Sequence, residues 1–360
     1  MGTDYNFNQK LKNPWIIIGL ILFVFASSLL FGKINVFKNS KNPIIKSLKV
    51  TGTITDQISP AAPTLDFTTY DKKLLKNANN STTKTSTVAN LWPVKTVYPN
   101  AGAILPFNRI VAYYGNLYSK NMGILGEYPE AEMIKRLSAE VKKWTLADPG
   151  TPAIPALHYI AVVAQAGAGR DGKYRARMPS TEIDKVLAMA EKNNALVFLD
   201  IQVGLSDVQT ELPFLEKYLK LPNVHLGIDP EFSMKTGAKP GTAIGSLDAK
   251  DINFASEYLS KIVTDNNLPP KILIIHRFTQ PMLTNYKSIK TVPEVQIVLN
   301  MDGFGGQGAK LNTYKQYIYK EPVQFTGFKL FYKNDALGLG LLTPDQLLKL
   351  NPIPLYIQYQ

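Results

Sequence analysis

Four carboxylic acids follow three apolar runs in the second half of the chain. Asp200 ends the run 195–200, Asp229 and Glu231 end the run that begins at Val224, and Asp302 ends the run 295–302. Carboxyl groups held close together cannot all ionise easily, so the pKa of one rises and that group can act as an acid near neutral pH. Glycoside hydrolysis needs such an acid and a second carboxyl group as base, nucleophile or stabiliser. The four acids are therefore the candidate catalytic residues.

Asp229 and Glu231 are the central pair among these acids. Residues two apart in a strand face the same side, so we expect both carboxyl groups to point the same way. Glu231 is the predicted general acid, Asp229 the residue that tunes its pKa, and Asp200 or Asp302 the base or stabiliser.

Eight apolar runs carry these acids and most of the rest of the chain. Amphipathic stretches separate most of them, a pattern typical of parallel strands covered by helices. Eight such units in about 250 residues predict a closed (β/α)8 TIM-type barrel, whose chemistry sits at the carboxyl ends of its strands. The predicted strands are 109–115, 154–165, 195–200, 224–229, 271–276, 295–302, 325–332 and 354–358.

Helix signals lie between these runs. A helix is predicted from Pro129 to Ala147, and Ser180, Ser206 and Asp248 are the predicted N-caps of three others.

Aromatic and polar residues near the same strand ends are the predicted substrate-binding groups, since sugar rings stack on aromatic side chains and amides bind hydroxyl groups. Lys329 has two interpretations, a Schiff-base nucleophile or a buried ion pair with Asp302, and the second is favoured. The predicted binding residues are Tyr113, Tyr114, Gln202, His276, Lys329, Tyr332 and Gln358.

No metal or cofactor is expected. With three histidines in the chain, a histidine-rich zinc site is disfavoured. An oxygen-rich Mg or Ca site built from Asp200, Asp229, Glu231 and His276 stays open as an alternative. Glycine patterns at 167–172 and 303–308 match a dinucleotide fingerprint, but neither has the full strand, helix and acidic-residue context that a phosphate site needs.

The first ninety residues differ in composition from the rest. Residues 15–32 carry no charge and predict a transmembrane anchor after a short tail, 1–14. A cleaved signal peptide is the alternative, which is less favoured because 26–28 is a poor cleavage site. Residues 33–90 are predicted to be a polar, disordered linker, and the barrel domain spans 91–360. The lysines on both sides of the anchor do not orient it cleanly, and their larger number after it favours a cytoplasmic barrel. The short tail before a long spacer instead favours an extracellular barrel, which is the orientation expected here.

The net charge of +12 is concentrated in this region. Residues 1–100 hold twelve lysines and four aspartates, a net of +8. A basic barrel surface is thus not indicated, and nucleic acid is not an expected partner. The absence of cysteine excludes disulfides, thiolate metal sites and a cysteine nucleophile.

Two resemblances bear on activity. Asp229-x-Glu231 on strand four, with Asn300-Met-Asp302 on strand six, resembles the layout of chitinase-like glycosidases, and the Asp-x-Glu also resembles Chalaropsis-type muramidases. The resemblance implies that Glu231 is the general acid. The chain departs from these families in three places. Residues 225–228 lack the two further acids that chitinases carry upstream of this pair, and residues 356–359 lack the chitinase tryptophan of strand eight. Residues 112–114 lack the first-strand Asp of the muramidases.

Over residues 105–360 the chain is similar to a family of bacterial surface and lipoprotein-like barrel proteins without an assigned activity. The sequence segments on which this resemblance rests are 124–129, 223–226, 228–232, 301–304 and 327–332.

Two functions remain open. The first is a membrane-anchored glycosidase-like hydrolase acting on cell-wall or extracellular polysaccharide, peptidoglycan included. The alternative is a barrel that binds glycan or tethers the cell wall without chemistry.

Overall fold

The structure is a computed structural model that describes residues 64–78, 91–335 and 339–360. The predicted anchor, 15–32, lies outside these ranges, as do the tail and most of the predicted linker. Within the described ranges, no helix has both the length and the apolar character needed to cross a bilayer.

Eight parallel strands form a closed barrel, as predicted. Each pairs with the next in chain order, and the first pairs with both the second and the last, which closes the sheet. The barrel strands, numbered here β1–β8, are Arg109–Gly115, Ala153–Ala164, Leu196–Ile201, Val224–Ile228, Lys271–Arg277, Val295–Met301, Phe325–Leu330 and Tyr356–Tyr359.

Most strand bounds agree with the apolar runs to within two residues, and β4 carries the difference that matters. It ends at Ile228, one residue before Asp229. Pro230 has no N–H to donate to a neighbouring strand, and Pro230–Phe232 forms a 3-10 turn instead.

Helices and short turns link the strands on the outside of the barrel. The α-helices, α1–α9, are Phe67–Asn77, Ile124–Glu127, Glu130–Ala147, Ser180–Lys192, Val208–Glu211, Glu216–Leu219, Ala249–Asp265, Gln307–Thr313 and Pro344–Leu347. The remaining helical turns are Leu212–Leu215, Gln280–Met282, Tyr286–Ser288 and the π-helix Tyr314–Tyr319, and the strands outside the barrel are Arg175–Arg177, Leu247–Asp248 and Leu283–Thr284.

One predicted N-cap is correct and two are displaced by one residue. Asp248 caps α7 with a capping box formed with Asp251. Ser180 is the first residue of α4 and not its cap. Asp207, not Ser206, caps α5, because the Asp207 carboxylate accepts from the backbone N–H of Thr210.

Helix α1 corrects the prediction of a disordered linker over 33–90. Asp66 caps it through the N–H of Thr69, and Tyr70 is buried among the side chains at the amino-terminal end of the barrel. Lys76 pairs with Asp148, just before β2, and the backbone N–H of Ile353, before β8, donates to the carbonyl of Asn77. This helix therefore belongs to the barrel and covers its amino-terminal end.

The barrel interior divides into an apolar half and a polar half. Side chains at alternate strand positions point inward, and those nearest α1 are apolar: Ile110, Ala112, Ala156, Phe198, Ile272, Ile274, Val298 and Phe325. Inward positions further along the strands are polar, and that half holds the candidate site.

Candidate functional site

Seven buried residues in the polar half of the interior form one group around the four acids' strand ends, five of them with carboxyl or basic side chains and two with hydrogen-bonding ones. We call this group the mouth cluster, since it lies toward the carboxyl ends of the strands. All of its members are buried: Tyr114, Asp200, Gln202, Asp229, His276, Asp302 and Lys329.

Asp302 follows β6 and contacts two cationic groups. Its Oδ1 lies 2.9 Å from Lys329 Nζ, and its Oδ2 lies 2.9 Å from His276 Nδ1. Burial raises the pKa of Asp302, but Lys329 and His276 outweigh it and hold that pKa below its usual value. The buried ion pair favoured from the sequence for Lys329 is therefore present, and the lysine ammonium also lies over the ring of Tyr114, 3.9 Å from its centroid.

Asp200, at the end of β3, is enclosed by aromatic and imidazole groups. Its Oδ2 accepts a hydrogen bond from the Tyr114 hydroxyl at 3.0 Å. Its Oδ1 lies 3.5 Å from His158 Nε2 and 3.6 Å from His276 Nε2. Burial acts to raise the pKa of Asp200, but His276 and His158 hold it well below its usual range.

The two histidines beside Asp200 differ in protonation. Burial lowers the pKa of His158 to about 4, so this imidazole is neutral. Burial also disfavours the charged form of His276, but the carboxylates of Asp200 and Asp302 outweigh it and raise the pKa of His276 to about 10. At neutral pH His276 is therefore an imidazolium between the carboxylates of Asp200 and Asp302.

Asp229 and Glu231 differ from the other acids in having no ion pair within the described chain. Gln202 Nε2 donates to Asp229 Oδ2 at 3.3 Å. Burial raises the pKa of Asp229 to about 7, and burial followed by the charge of Asp229 raises the pKa of Glu231 well above its usual value. Glu231 is the more exposed of the two.

The geometry of this pair differs from the prediction. Asp229 and Glu231 do not share one face of a strand, because Glu231 lies in the 3-10 turn Pro230–Phe232. Asp229 Oδ1 instead accepts from the backbone N–H of Glu231 at 3.0 Å. The two acids are thus held together by a capped turn and not by strand alternation.

The predicted binding residues separate into two groups. Tyr114, Gln202, His276 and Lys329 belong to the mouth cluster, and Gln358 contacts it through Asn300. Tyr113 and Tyr332 lie instead between the barrel and α3, where their hydroxyl groups are 3.1 Å apart and that of Tyr332 reaches Glu140 of α3. These two side chains take part in helix packing and do not belong to the mouth cluster.

His158 is a residue that the sequence analysis missed. It lies inside β2 and is fully buried. Within the described chain, the group with the spacing to hold a metal ion is His158, Asp200 and His276, whose ligand atoms all lie within 4.8 Å of one another. The oxygen-rich set left open from the sequence, which used Asp229 and Glu231 in place of His158, is not brought together in this way. A histidine within an apolar strand run was the available signal.

Comparison with known proteins adds little to this geometry. No family model matches the chain, and no curated protein is similar to it. One similar solved structure is "Cellulase Cel5C_n", with 14% identity and a TM-score of 0.40 over 70% of this chain and 75% of that one. Another is a sugar phosphate isomerase/epimerase from Parabacteroides distasonis ATCC 8503, with 11% identity and a TM-score of 0.31 over 74% and 90% of the two chains.

Neither comparison assigns the chain to the family of surface and lipoprotein-like proteins that its sequence segments resemble. The strand pairing of this chain is by itself sufficient to identify a closed, eight-stranded parallel (β/α)8 barrel.

Proposed function

We propose that the barrel is a hydrolase acting on polysaccharide, with Glu231 as general acid. The observation that supports this proposal is that the four acids at the carboxyl end of the barrel form two pairs with different surroundings. Asp200 and Asp302 lie beside cationic or imidazole groups, whereas Asp229 and Glu231 are buried or half-buried without a cation. Environments that push the pKa values of neighbouring acids apart supply one proton donor and one anion.

Each acid then has a stated role. Glu231 donates a proton to the leaving glycosidic oxygen, since it is the most exposed acid of the group and its pKa is raised. Asp229 keeps that pKa high and positions the turn that carries Glu231. Asp302 is the anionic partner in hydrolysis, because it retains some exposure (7%) whereas Asp200 has none.

Substitution of the acid tests this assignment. Glu231→Gln keeps the side-chain shape but cannot donate a proton, so reducing-end release from chitin oligomers, peptidoglycan or another wall glycan should fall by about 10²–10⁴-fold. Glu132→Gln is the matched control, because Glu132 lies on the outer face of α3 in an exposed pair with Arg136. The control should keep the parent rate.

The same assay separates the two candidate functions. If parent and Glu231→Gln proteins bind one glycan equally and neither releases product, the protein is a glycan-binding module and the hydrolase proposal is wrong. Proteins used in this assay should include α1, because that helix packs against the amino-terminal end of the barrel.

We also propose that residues 15–32 anchor the protein in a membrane with the barrel outside the cell. The support is the run of eighteen uncharged residues, a length near the lower limit for a membrane span. Protease added to intact cells should then degrade the barrel. A barrel that is degraded after lysis and protected in intact cells would contradict the orientation.

A further inference from the structure

We propose that His158, Asp200 and His276 bind one divalent first-row transition-metal ion inside the barrel. This inference does not depend on the hydrolase proposal. It concerns a site deeper in the barrel than Glu231, and it stands if no glycan is cleaved.

The first support is a set of unpaired polar atoms. His158 Nε2, Asp200 Oδ1 and His276 Nε2 have no hydrogen-bond partner, although all three side chains are fully buried. A buried polar atom without a partner costs free energy, and each case needs an explanation such as an ion. Here all three unpaired atoms face one another.

Two of the three distances among these atoms suit a metal, and the third is at most 4.8 Å. Asp200 Oδ1 lies 3.5 Å from His158 Nε2 and 3.6 Å from His276 Nε2, too long for strong hydrogen bonds. An ion bound at about 2.0–2.2 Å to nitrogen and oxygen ligands in tetrahedral geometry separates its ligand atoms by roughly 3.4 Å. The observed spacing therefore fits an ion between them better than direct contact.

The second support is that each candidate ligand side chain also contacts a residue that is not itself a candidate ligand. His276 Nδ1 contacts Asp302 at 2.9 Å, His158 Nδ1 lies 2.5 Å from the Tyr356 hydroxyl, and Asp200 Oδ2 accepts from Tyr114. Metal-binding histidines characteristically donate the other ring N–H to a carboxylate or similar acceptor. With a metal ion in place of the Nε2 proton, Nδ1–H would be donated to Asp302 by His276 and to the Tyr356 oxygen by His158, and each Nε2 would present its lone pair to the ion.

The third support is the residue that borders the same space. A Cβ atom on Gly227, in β4, would lie 2.5 Å from both Asp200 Oδ1 and His158 Nε2. The strand thus carries no side chain at the position where one would fill the space beside these atoms. Two imidazoles and one carboxylate favour zinc, iron or another first-row ion over Mg or Ca.

Metal content of the full-length protein tests the proposal. Cells grown with Co²⁺ should yield tag-free protein with one ion per chain and visible d–d absorption. His158→Asn and His276→Asn keep an N–H donor near the Nδ1 position and remove Nε2, so both should reduce bound cobalt at least tenfold. Gly227→Ala should do the same with all ligands retained.

His225→Asn is the matched control. His225 is the third interior histidine and is equally buried, but its Nδ1 accepts from the backbone N–H of Ile272 and it is not among the three grouped ligands. It should keep one cobalt per chain. Cobalt that remains in the His158, His276 and Gly227 variants alike would overturn the proposal, as would parent protein without cobalt.

X-ray absorption by the parent protein provides a second test that needs no variant. The expected spectrum contains two imidazole ligands and light-atom neighbours at about 2.0–2.2 Å. A bound ion without imidazole scattering would also overturn the assignment.

Discussion

Replacing Asp302 by Asn tests the electrostatic interpretation of the mouth cluster most directly. The change keeps the shape of the side chain but removes the anion that Lys329 and His276 each contact at 2.9 Å. Within the described chain Lys329 pairs with no other carboxylate, and it is 3% exposed. Breaking a buried pair from one side costs about 3–5 kcal/mol, since the remaining charge stays buried.

Unfolding by heat and by urea at neutral pH measures this cost. For a domain somewhat larger than 150–250 residues, each kcal/mol lowers Tm by roughly 2–4 °C. The expected fall is therefore about 6–20 °C. The exposed pair of Glu132 and Arg136 supplies the comparison, because Glu132→Gln should cost only about 0.3–0.5 kcal/mol.

A double-mutant cycle isolates the pair itself. Lys329→Met combined with Asp302→Asn removes both charges, so the double variant should be more stable than the sum of the two single losses predicts, by about 0.5–3 kcal/mol. An Asp302→Asn loss below about 1 kcal/mol, typical of a solvent-exposed pair, would refute the reasoning. Strict additivity would show that Lys329 and Asp302 do not interact.

Three further predictions concern the stability contributions of other buried side chains. Burial raises the pKa of Asp229 from 3.8 to about 7, so its contribution to stability is full below about pH 4 and is lost as pH rises to about 7; urea unfolding across this range should show that decline in the parent and not in Asp229→Asn. Burial lowers the pKa of Lys271 from 10.5 to about 7, so stability should rise between about pH 7 and pH 10.5, a rise that Lys271→Met should remove in the same unfolding assay. Tyr70→Ala should cost about 3–5 kcal/mol in chemical unfolding, and a loss near zero would show that α1 is not part of the barrel core.

Much of the architecture was predictable because a parallel barrel buries its strands on both faces. Each strand then appears as an apolar run, and the acids that end three of the runs do converge. The Lys329–Asp302 pair could also be predicted from the sequence, since adjacent parallel strands bring their ends together.

The local geometry of the site was not predictable, for reasons visible in particular residues. Strand alternation does not apply to Glu231 once Pro230 begins a turn. In β2 the register shifts between Ile160 and Val162, so counting back from the strand end does not identify His158 as an inward residue. Helix α1 was missed because its apolar positions at helical spacing, Phe67, Tyr70 and Leu74, span only two turns within a polar region.

Helix α1 also determines how mechanical load would pass through the molecule. The carboxyl-terminal end of this helix is joined to the amino-terminal end of the barrel, opposite Glu231, where Asn77 accepts from the N–H of Ile353 and Lys76 pairs with Asp148. A pull applied to the chain before Phe67 would load these contacts and the buried Tyr70 side chain, all of which lie at the amino-terminal end of the barrel. The load would therefore reach the amino-terminal end of the barrel before it reaches the carboxyl ends of the strands, where Glu231 lies.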